Sequence, residues 1–568
     1  MYIESIPNHG SNPTVLLRES HREKGRVVKR TIANLTNVPD DIVALIKLVL
    51  KGEPLVPVNG LLTIDQSLPH GHVHAVLETI RALELDTIIA SKPSRSRDLV
   101  LAMIVNQLIS PSSKLGLTRQ WHQSTLAQEL HVDDSTEDDL YDALDWLVRR
   151  QDRIEAKLAK RHLSDNTVVL YDMSNSTYYG TRCSLATFAM NKDGSKKPCI
   201  AWGLLTDRGG CPIAVSVYPG RTSDTKTIPD QVDKLRTRFD LRRVVLVGDR
   251  GMITNTRIEE FRAHEAIGWI SALRTEAIRN LVDSGTLQLS LFDEQNLAEI
   301  SSEAFPGERL VACYNPFLAA DRARTRTELL EASERAFDGI SAEVRRRTRT
   351  PMTEQQISLK VGAVRNSKKV GKHFHFTIAD NHFSYERNEA SITEESRLDG
   401  VYVIRTSEAE QMFPADDVVR TYKSLADVET AFRCMKSVDM CIRPIRHSTE
   451  EHVRAHVFLN MLAYYVQWQM RRALAPVLFA EEHLDDERTH RDPVMRAMPS
   501  EAVRRKKNLR ATNDGWTVHS WKTLMSEMGT LCRNRCRFTV GATDRCIDMD
   551  TTPSEFQRHV FELLGVRY

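Results

Sequence analysis

Three carboxylates, a phenol and two cations are spaced so that they could work together on a phosphodiester. Asp172 closes the apolar run TVVLYDMS, Asp249 follows a second apolar run in RRVVLVGDRGM, and Glu429 lies within TYKSLADVETAFRCMK, residues 421–436. Wound as a single α-helix at about 100° per residue, that last stretch sets Tyr422, Leu425, Glu429, Arg433 and Lys436 on one line. Val428, Phe432 and Met435 make an apolar stripe beside it, suited to packing on a sheet. Alone, such a helix is an ordinary half-exposed one, with Glu429 and Arg433 as an i,i+4 pair worth roughly a few tenths of a kcal/mol. The two aspartates change that reading. Strand end, strand end and helix face together can bring three oxygen ligands around hard divalent cations. Mg²⁺, with Mn²⁺ as a substitute, takes carboxylates plus water and substrate phosphate rather than an all-protein cage. Two such ions about 3.5–4 Å apart bind both the attacking and the leaving oxygen of an in-line displacement. Tyr422, Arg433 and Lys436 are then placed to hold the phosphates flanking the attacked one.

Strand-end aspartates need a sheet, and the middle of the chain supplies one. After TVVLYDMS, the runs CIAWGLLTD (199–207) and CPIAVSVYPG (211–220) read as an antiparallel pair joined by a tight Arg-Gly-Gly connection. A helix near 224–238, the strand before Asp249, a helix near 255–265 and the strand GWISALR (268–274) follow. The order β-β-β-α-β-α-β puts one aspartate at the end of the first strand and another just past the fourth. Ligands of open α/β sheets gather at such carboxyl edges. Residues 276–398 interrupt the pattern with an Arg-rich helix (RARTRTELLEASERAFDGI) and expected strands ISLKVGAV and KHFHFTIADNHFSYER. VYVIRTS (401–407) then returns as a strand, and the helix carrying Glu429 follows at 418–436.

The flanks differ from this core. Residues 14–33 predict two short strands around a Glu-Lys-Gly turn and carry Arg18, Arg22, Lys24, Arg26, Lys29 and Arg30; a solvated hairpin and a phosphate-contacting one fit equally. Asp40 to Leu50 predicts a short helix with acids at its N-terminus, where the dipole favours them. From His72 to His162 the periodicity is helical, and the last run opens on Ser135 and Asp138 at capping-box spacing. Residues 437–568 predict helices, locally basic at RRKKNLR (504–510). The chain of 568 residues has room for roughly two to four domains. Its net charge of +2 neither requires nor excludes nucleic acid. Nine scattered cysteines make no disulfide framework and point to a reducing compartment. The opening MYIESIPNHG has no leader pattern, and the most apolar stretch, HVFLNMLAYYVQWQM, is too short and polar to span a bilayer. A cytoplasmic, nucleoid-associated bacterial protein without a membrane partner is expected.

The stretch 421–436 resembles the Tyr-x2-Arg-x3-Glu-x6-Lys signature of DDE transposases of the Insertion Sequence 4 superfamily. The segments ESHREKGRVVKRTIANL, VVLYDMS, LVGDRGM, GWISALR, LDGVYVIRTS and VETAFRCMKSVDMCIRPIRHSTEEHVRAHVFL resemble its long branch. The resemblance implies an RNase H-like α/β core interrupted by a mixed α/β insertion before the catalytic Glu and flanked by helical N- and C-terminal regions. It implies Mg²⁺-dependent cut-and-paste transfer of a DNA element, with two ions per site. Asp172, Asp249 and Glu429 then form the catalytic, metal-binding triad, and Tyr422 and Lys436 contact the DNA end. The implied partners are double-stranded DNA, both the element's terminal inverted repeats and the target, and a second copy of the chain in the DNA complex. The expected organisation is a basic hairpin and helix touching DNA (1–64), an all-α domain binding DNA ends (65–163), the first part of the core (164–275), the insertion (276–398), the second part with the catalytic helix (399–470) and a helical C-terminal region (471–568). Leu425 stands where the signature has Arg, and Arg433 is expected to take over part of the anion-holding work. The DNA-contacting set is therefore Tyr422, Arg433, Lys436 and, in the hairpin, Arg18, Arg22, Arg26, Lys29 and Arg30.

Two other readings compete. A haloacid-dehalogenase-like phosphohydrolase also places Asp after apolar strands, but needs an acid two residues after its nucleophile, where Ser174 stands. It also needs one shortly after the later Asp, where Ile253 and Thr254 stand. A catalytically inactive DNA-binding derivative would keep the fold without turnover, and the intact triad argues against it. His452 and His456 have the i,i+4 spacing of a zinc pair, with solvent or phosphate contacts the favoured alternative. Cys532, Cys536 and Cys546 are expected to be buried thiols, and Trp202 and Trp269 to fill the core.

Overall fold

The computed structural model describes residues 1–8, 11–53, 62–190, 195–263, 266–538 and 546–568, which divide into two compact units. The first unit joins Met1–Pro69 to Leu531–Thr552. Its basic hairpin is a three-stranded antiparallel sheet in which Tyr2–Asn8 pairs with Ser11–Glu23, and Ser11–Glu23 with Arg26–Asn34. Glu23 faces Arg26 across a two-residue turn, and both turn residues, Lys24 (φ 48°) and Gly25 (φ 82°), are left-handed. That is the turn whose twist matches two right-twisted strands. A helix, Asp40–Leu50, follows with Asp40 and Asp41 in its first turn, as expected.

The expectation of a wholly helical C-terminal region fails in this unit. Cys532–Phe538 pairs with Cys546–Asp550 on one side and Leu62–Pro69 on the other. Alternating charges drive the pairing: Arg533 meets Asp550, Arg535 meets Asp548 and Arg537 meets Asp65, at 2.8, 3.2 and 2.9 Å. A helix-period search has nothing to find there, because the signal has period two. Of the three thiols expected to be buried, Cys536 is buried, Cys532 is intermediate and Cys546 is exposed.

The second unit holds the site. A nine-stranded mixed sheet runs in the order Leu297–Ile300, Arg309–Tyr314, Val401–Thr406, Ile267–Ala272, Val244–Val247, Thr167–Thr177, Lys196–Asp207. Both Thr187–Met190 and Pro212–Pro219 pair with the far side of Lys196–Asp207. The three central strands Ile267–Ala272, Val244–Val247 and Thr167–Thr177 are parallel. Their near-continuous apolar residues fit strands covered on both faces. Trp202 and Trp269 are both buried, as expected. The hairpin 199–220 is as predicted; its turn is closed by Asp207 Oδ1, which accepts the amides of Gly209 and Cys211, each at 2.8 Å.

The segment 276–398 is divided rather than uniform. Its first strands, Leu297–Ile300 and Arg309–Tyr314, extend the main sheet. Beyond them, the helix Pro316–Arg346, the helix Glu354–Lys368 and the hairpin Phe374–Ala379 with His382–Arg387 enclose their own core around Phe337, Ile357 and Phe383. ISLKVGAV, expected as a strand, is helical. Thr353 and Gln356 cap the helix reciprocally, and Ile357 and Val361, four apart, are its buried residues. Glu308 holds Arg405 of the returning strand at 2.5 and 2.6 Å, with both side chains buried.

Helices cover the sheet. Gly71–Ala82, Arg95–Ile109, Glu137–Val148 and Gln151–His162 bear out the helical periodicity of 72–162. The capping box sits one residue later than read, on Thr136 and Asp139. Glu450–Ala473 runs through the middle, buried along most of its length, and packs on Arg95–Ile109, Glu137–Val148 and the strand Pro212–Pro219. No helix among the described residues is long and apolar enough to cross a membrane. The predicted helix near 255–265 is Asn255–Arg262; positions 264 and 265 lie outside the described residues.

Candidate active site

Parallel pairing sets the two aspartates two residues past one shared rung. Leu170 pairs with Val247 across the parallel strands, and Asp172 and Asp249 each lie two residues further on. Two residues is one pleat, so the Asp172 side chain leaves the same face as Leu170; Asp249 lies just past the end of its own strand, Val244–Val247. Asp172 is half-buried, with Oδ1 accepting the Met173 amide at 2.7 Å; Asp249 is exposed at the strand's mouth.

The helix of Glu429 packs on the same face. Ser174, two residues after Asp172, pairs with Trp202, and the Trp202 ring takes Phe432 edge-on at 4.9 Å. Val428 and Phe432 are buried against the strand Thr167–Thr177, leaving Glu429 exposed beside them. Gly210 makes this approach tight: its φ is +85°, and a Cβ there would lie 2.8 Å from Asp427 Cβ. Asp427 is tied in turn to Arg488 at 2.7 and 2.8 Å.

The single helix expected over 418–436 is three pieces. Ala415–Lys423 ends at Ser424, Leu425–Arg433 restarts at once, and Cys434–Val438 is a π turn. Ser424 Oγ donates back to the Arg420 carbonyl at 3.1 Å, a side-chain bond that bends helices. Tyr422 and Glu429 therefore do not share one straight helical line. Tyr422 still reaches the site, its hydroxyl donating to Asp249 Oδ1 at 3.5 Å. Lys436 is buried, with its ammonium against the Ser174 hydroxyl and 5.8 Å from the Trp202 ring. Arg433 is exposed and turns along its own helix to Thr430 Oγ1 at 3.4 Å. Leu425 is half-buried.

The acids act on one another electrostatically. Burial pushes the Asp172 carboxyl up to about 7, helped by the charges of Asp224, Glu429 and Asp249 and opposed by the Met173 amide. Asp224, on a short turn (Asp224–Lys226) after the strand Pro212–Pro219, is a fourth acid that the strand-end pattern did not reveal. Its own carboxyl is raised, first by the surrounding protein and then by Asp249. The Tyr422 phenol is raised by burial and by Asp249. Like charges gathered in this way suit a site for hard divalent ions.

Elsewhere the expected contacts are mixed. In the hairpin, opposite residues share a face, so Arg18, Arg22 and Lys29 lie on one side and Arg26 and Arg30 on the other. Arg18 and Lys29 both bind Glu4, at 2.7 and 3.0 Å, and Arg30 lies 3.9 Å from Glu19. Arg22 and Arg26 stand exposed at the tip. His452 pairs with Asp145 at 3.2 Å and stacks on Tyr141. His456 lies against His447, and burial pulls it down to about 3, so it is a neutral inward-facing group rather than a phosphate contact. Among the described residues, the donors whose ligand atoms all lie within 4.8 Å of one another are His162, Asp207 and Cys211; neither the set Asp172, Asp249 and Glu429 nor His452 and His456 make such a group.

Residues 164–466, more than half of the chain, match the family model of the transposase DDE domain. The chain belongs to the DDE transposases of insertion sequences. Within that class, residues 3–55, which include the basic hairpin, match the N-terminal domain of IS1634 family transposases. No curated protein matches the chain.

Proposed function

We propose that Asp172, Asp249 and Glu429 form one metal-dependent site on an RNase H-like core that cuts the ends of an insertion element and joins them to target DNA, as in the Insertion Sequence 4 superfamily. The observation that carries this reading is the shared rung of Leu170 and Val247, two residues before Asp172 and Asp249, with the helix of Glu429 packed on the strand of Asp172. Two Mg²⁺ ions, or Mn²⁺ in their place, would be held by these carboxylates and would supply charge stabilisation and a reactive hydroxide. The chain's part is to hold three anions in fixed relation and to keep Asp172 partly shielded from water. Lys436 steadies the strand beside Asp172 through Ser174, and Tyr422 offers its hydroxyl at Asp249. Arg433, exposed one turn beyond Glu429, is a contact for flanking DNA. Arg22 and Arg26 lead a β-ribbon of the width that a major groove admits, with Arg18, Lys29 and Arg30 behind them. A homodimer in the DNA complex would pair two element ends.

The test is nicking of a supercoiled plasmid that carries the DNA flanking the coding sequence on both sides. Mg²⁺ or Mn²⁺ should convert it to nicked and linear forms, and chelation should stop the reaction. Equal nicking with and without chelator would sink the proposal.

A further inference from the structure

A cleft of about 300 Å³ opens beside the acids, with Asp249 in its wall. Its walls include Asp249 and Arg250, Leu273 and Leu398, Tyr422, and Arg322 from the first turns of the helix Pro316–Arg346. Arg322 is half-buried and donates from Nη1 to the Leu398 carbonyl at 3.0 Å. That bond fixes the guanidinium and leaves its other N–H groups unspent. Arg250 is exposed, and among the described residues neither arginine forms an ion pair with an acid. Lys423, on the helix of Tyr422, is engaged by the carbonyls of Val494 and Met495 at 2.6 and 3.1 Å.

Two arginines without acid partners, a phenol and apolar walls suit a phosphate ester joined to a small organic body. The cleft is too narrow for a duplex and lies at the lower end of small-ligand sites. We propose that it holds a backbone phosphate of the single DNA strand leaving the acids, gripped between Arg250 from the sheet and Arg322 from the inserted helix. The assignment rests on the proposed function in one respect, that the strand is DNA passing the triad. It makes the inserted body part of the substrate site, because one jaw belongs to it.

The test measures binding, not cutting. Full-length protein carrying Glu429→Gln, with Mg²⁺, is titrated against a fluorescent oligothymidylate across a salt series. Adding Arg250→Ala or Arg322→Ala should weaken binding about tenfold each. Each should also lower the salt slope by about 0.7, one phosphate contact on a single strand. Arg250→Lys should keep the slope and lose less affinity. Unlabelled oligothymidylate should compete, and inorganic phosphate at equal phosphate concentration should not. Unchanged affinity in the double variant overturns the proposal, as does weaker binding at an unchanged slope, which marks a structural role. Competition by inorganic phosphate alone assigns a free-anion site and overturns it too. A wild-type protein that fails to nick plasmid contradicts the proposed function and leaves this binding result to stand or fall alone.

Discussion

Asp172→Asn, Asp249→Asn and Glu429→Gln should each reduce end cleavage by at least about a thousandfold, while binding to end-containing DNA stays within a few-fold of wild type. Each replacement keeps volume and removes an anionic ligand. The size follows from arithmetic: losing about 4 kcal/mol of transition-state stabilisation costs about three decades in rate. Binding survives because phosphate contacts across the rest of the surface supply most of the affinity. Single-turnover cleavage with labelled ends measures the first quantity and band shifts the second. A variant that cleaves within tenfold of wild type takes its residue out of the site. Asp224→Asn, one step from the triad and exposed, should cost less than any of the three.

The second large effect concerns pH. In the metal-free chain the Asp172 carboxyl lies at about 7, against about 3.9 for an ordinary aspartate in an unfolded chain. Between those values the folded chain holds a proton that the unfolded chain has released. The folded state is thus favoured at low pH and loses that advantage as pH rises from about 4 to about 7. Asp172→Asn cannot ionise, so its thermal midpoint should match wild type near pH 4 and exceed it by a few degrees at pH 8, in chelator. Divalent metal reverses the sign, since it binds the ionised site and releases the proton. Mg²⁺ affinity of wild type should rise about tenfold per pH unit up to about 7 and then level off. Parallel melting curves for the two proteins at pH 4 and pH 8 would show that Asp172 is not perturbed.

Much of the scaffold around these residues is legible in the sequence. Apolar runs ending in Asp172 and Asp249 are strong strand signals, and their buried residues are those of the central parallel strands. Val428 and Phe432 at four-residue spacing identified the packing face of the Glu429 helix. The break at Ser424 was hidden because a serine bonded to the preceding turn looks, in sequence, like any serine in a helix. The 354–368 helix was masked by β-branched residues whose spacing, four between Ile357 and Val361, was the better guide. Asp224 and Arg322 were out of reach for another reason. Asp224 enters the field of Asp172 and Asp249 through the turn after a neighbouring strand, and Arg322 lines the cleft from a helix whose sequence predicts only an Arg-rich surface. Leu425, the departure from the signature, is half-buried.

The central claim, that these carboxylates are metal ligands of one catalytic site, is tested most directly by changing a ligand's softness. Asp172→Cys and Asp249→Cys replace a hard oxygen donor with a thiolate, which disfavours Mg²⁺ and accepts softer ions. End cleavage by each variant is followed with Mg²⁺ and with Mn²⁺ or Cd²⁺, beside wild type and the Asn variants. The account predicts no cleavage with Mg²⁺ and recovery of at least tenfold with the softer ion, in the Cys variants and not the Asn ones. Mg²⁺-supported cleavage at the wild-type rate, or the same loss with every ion, would contradict it.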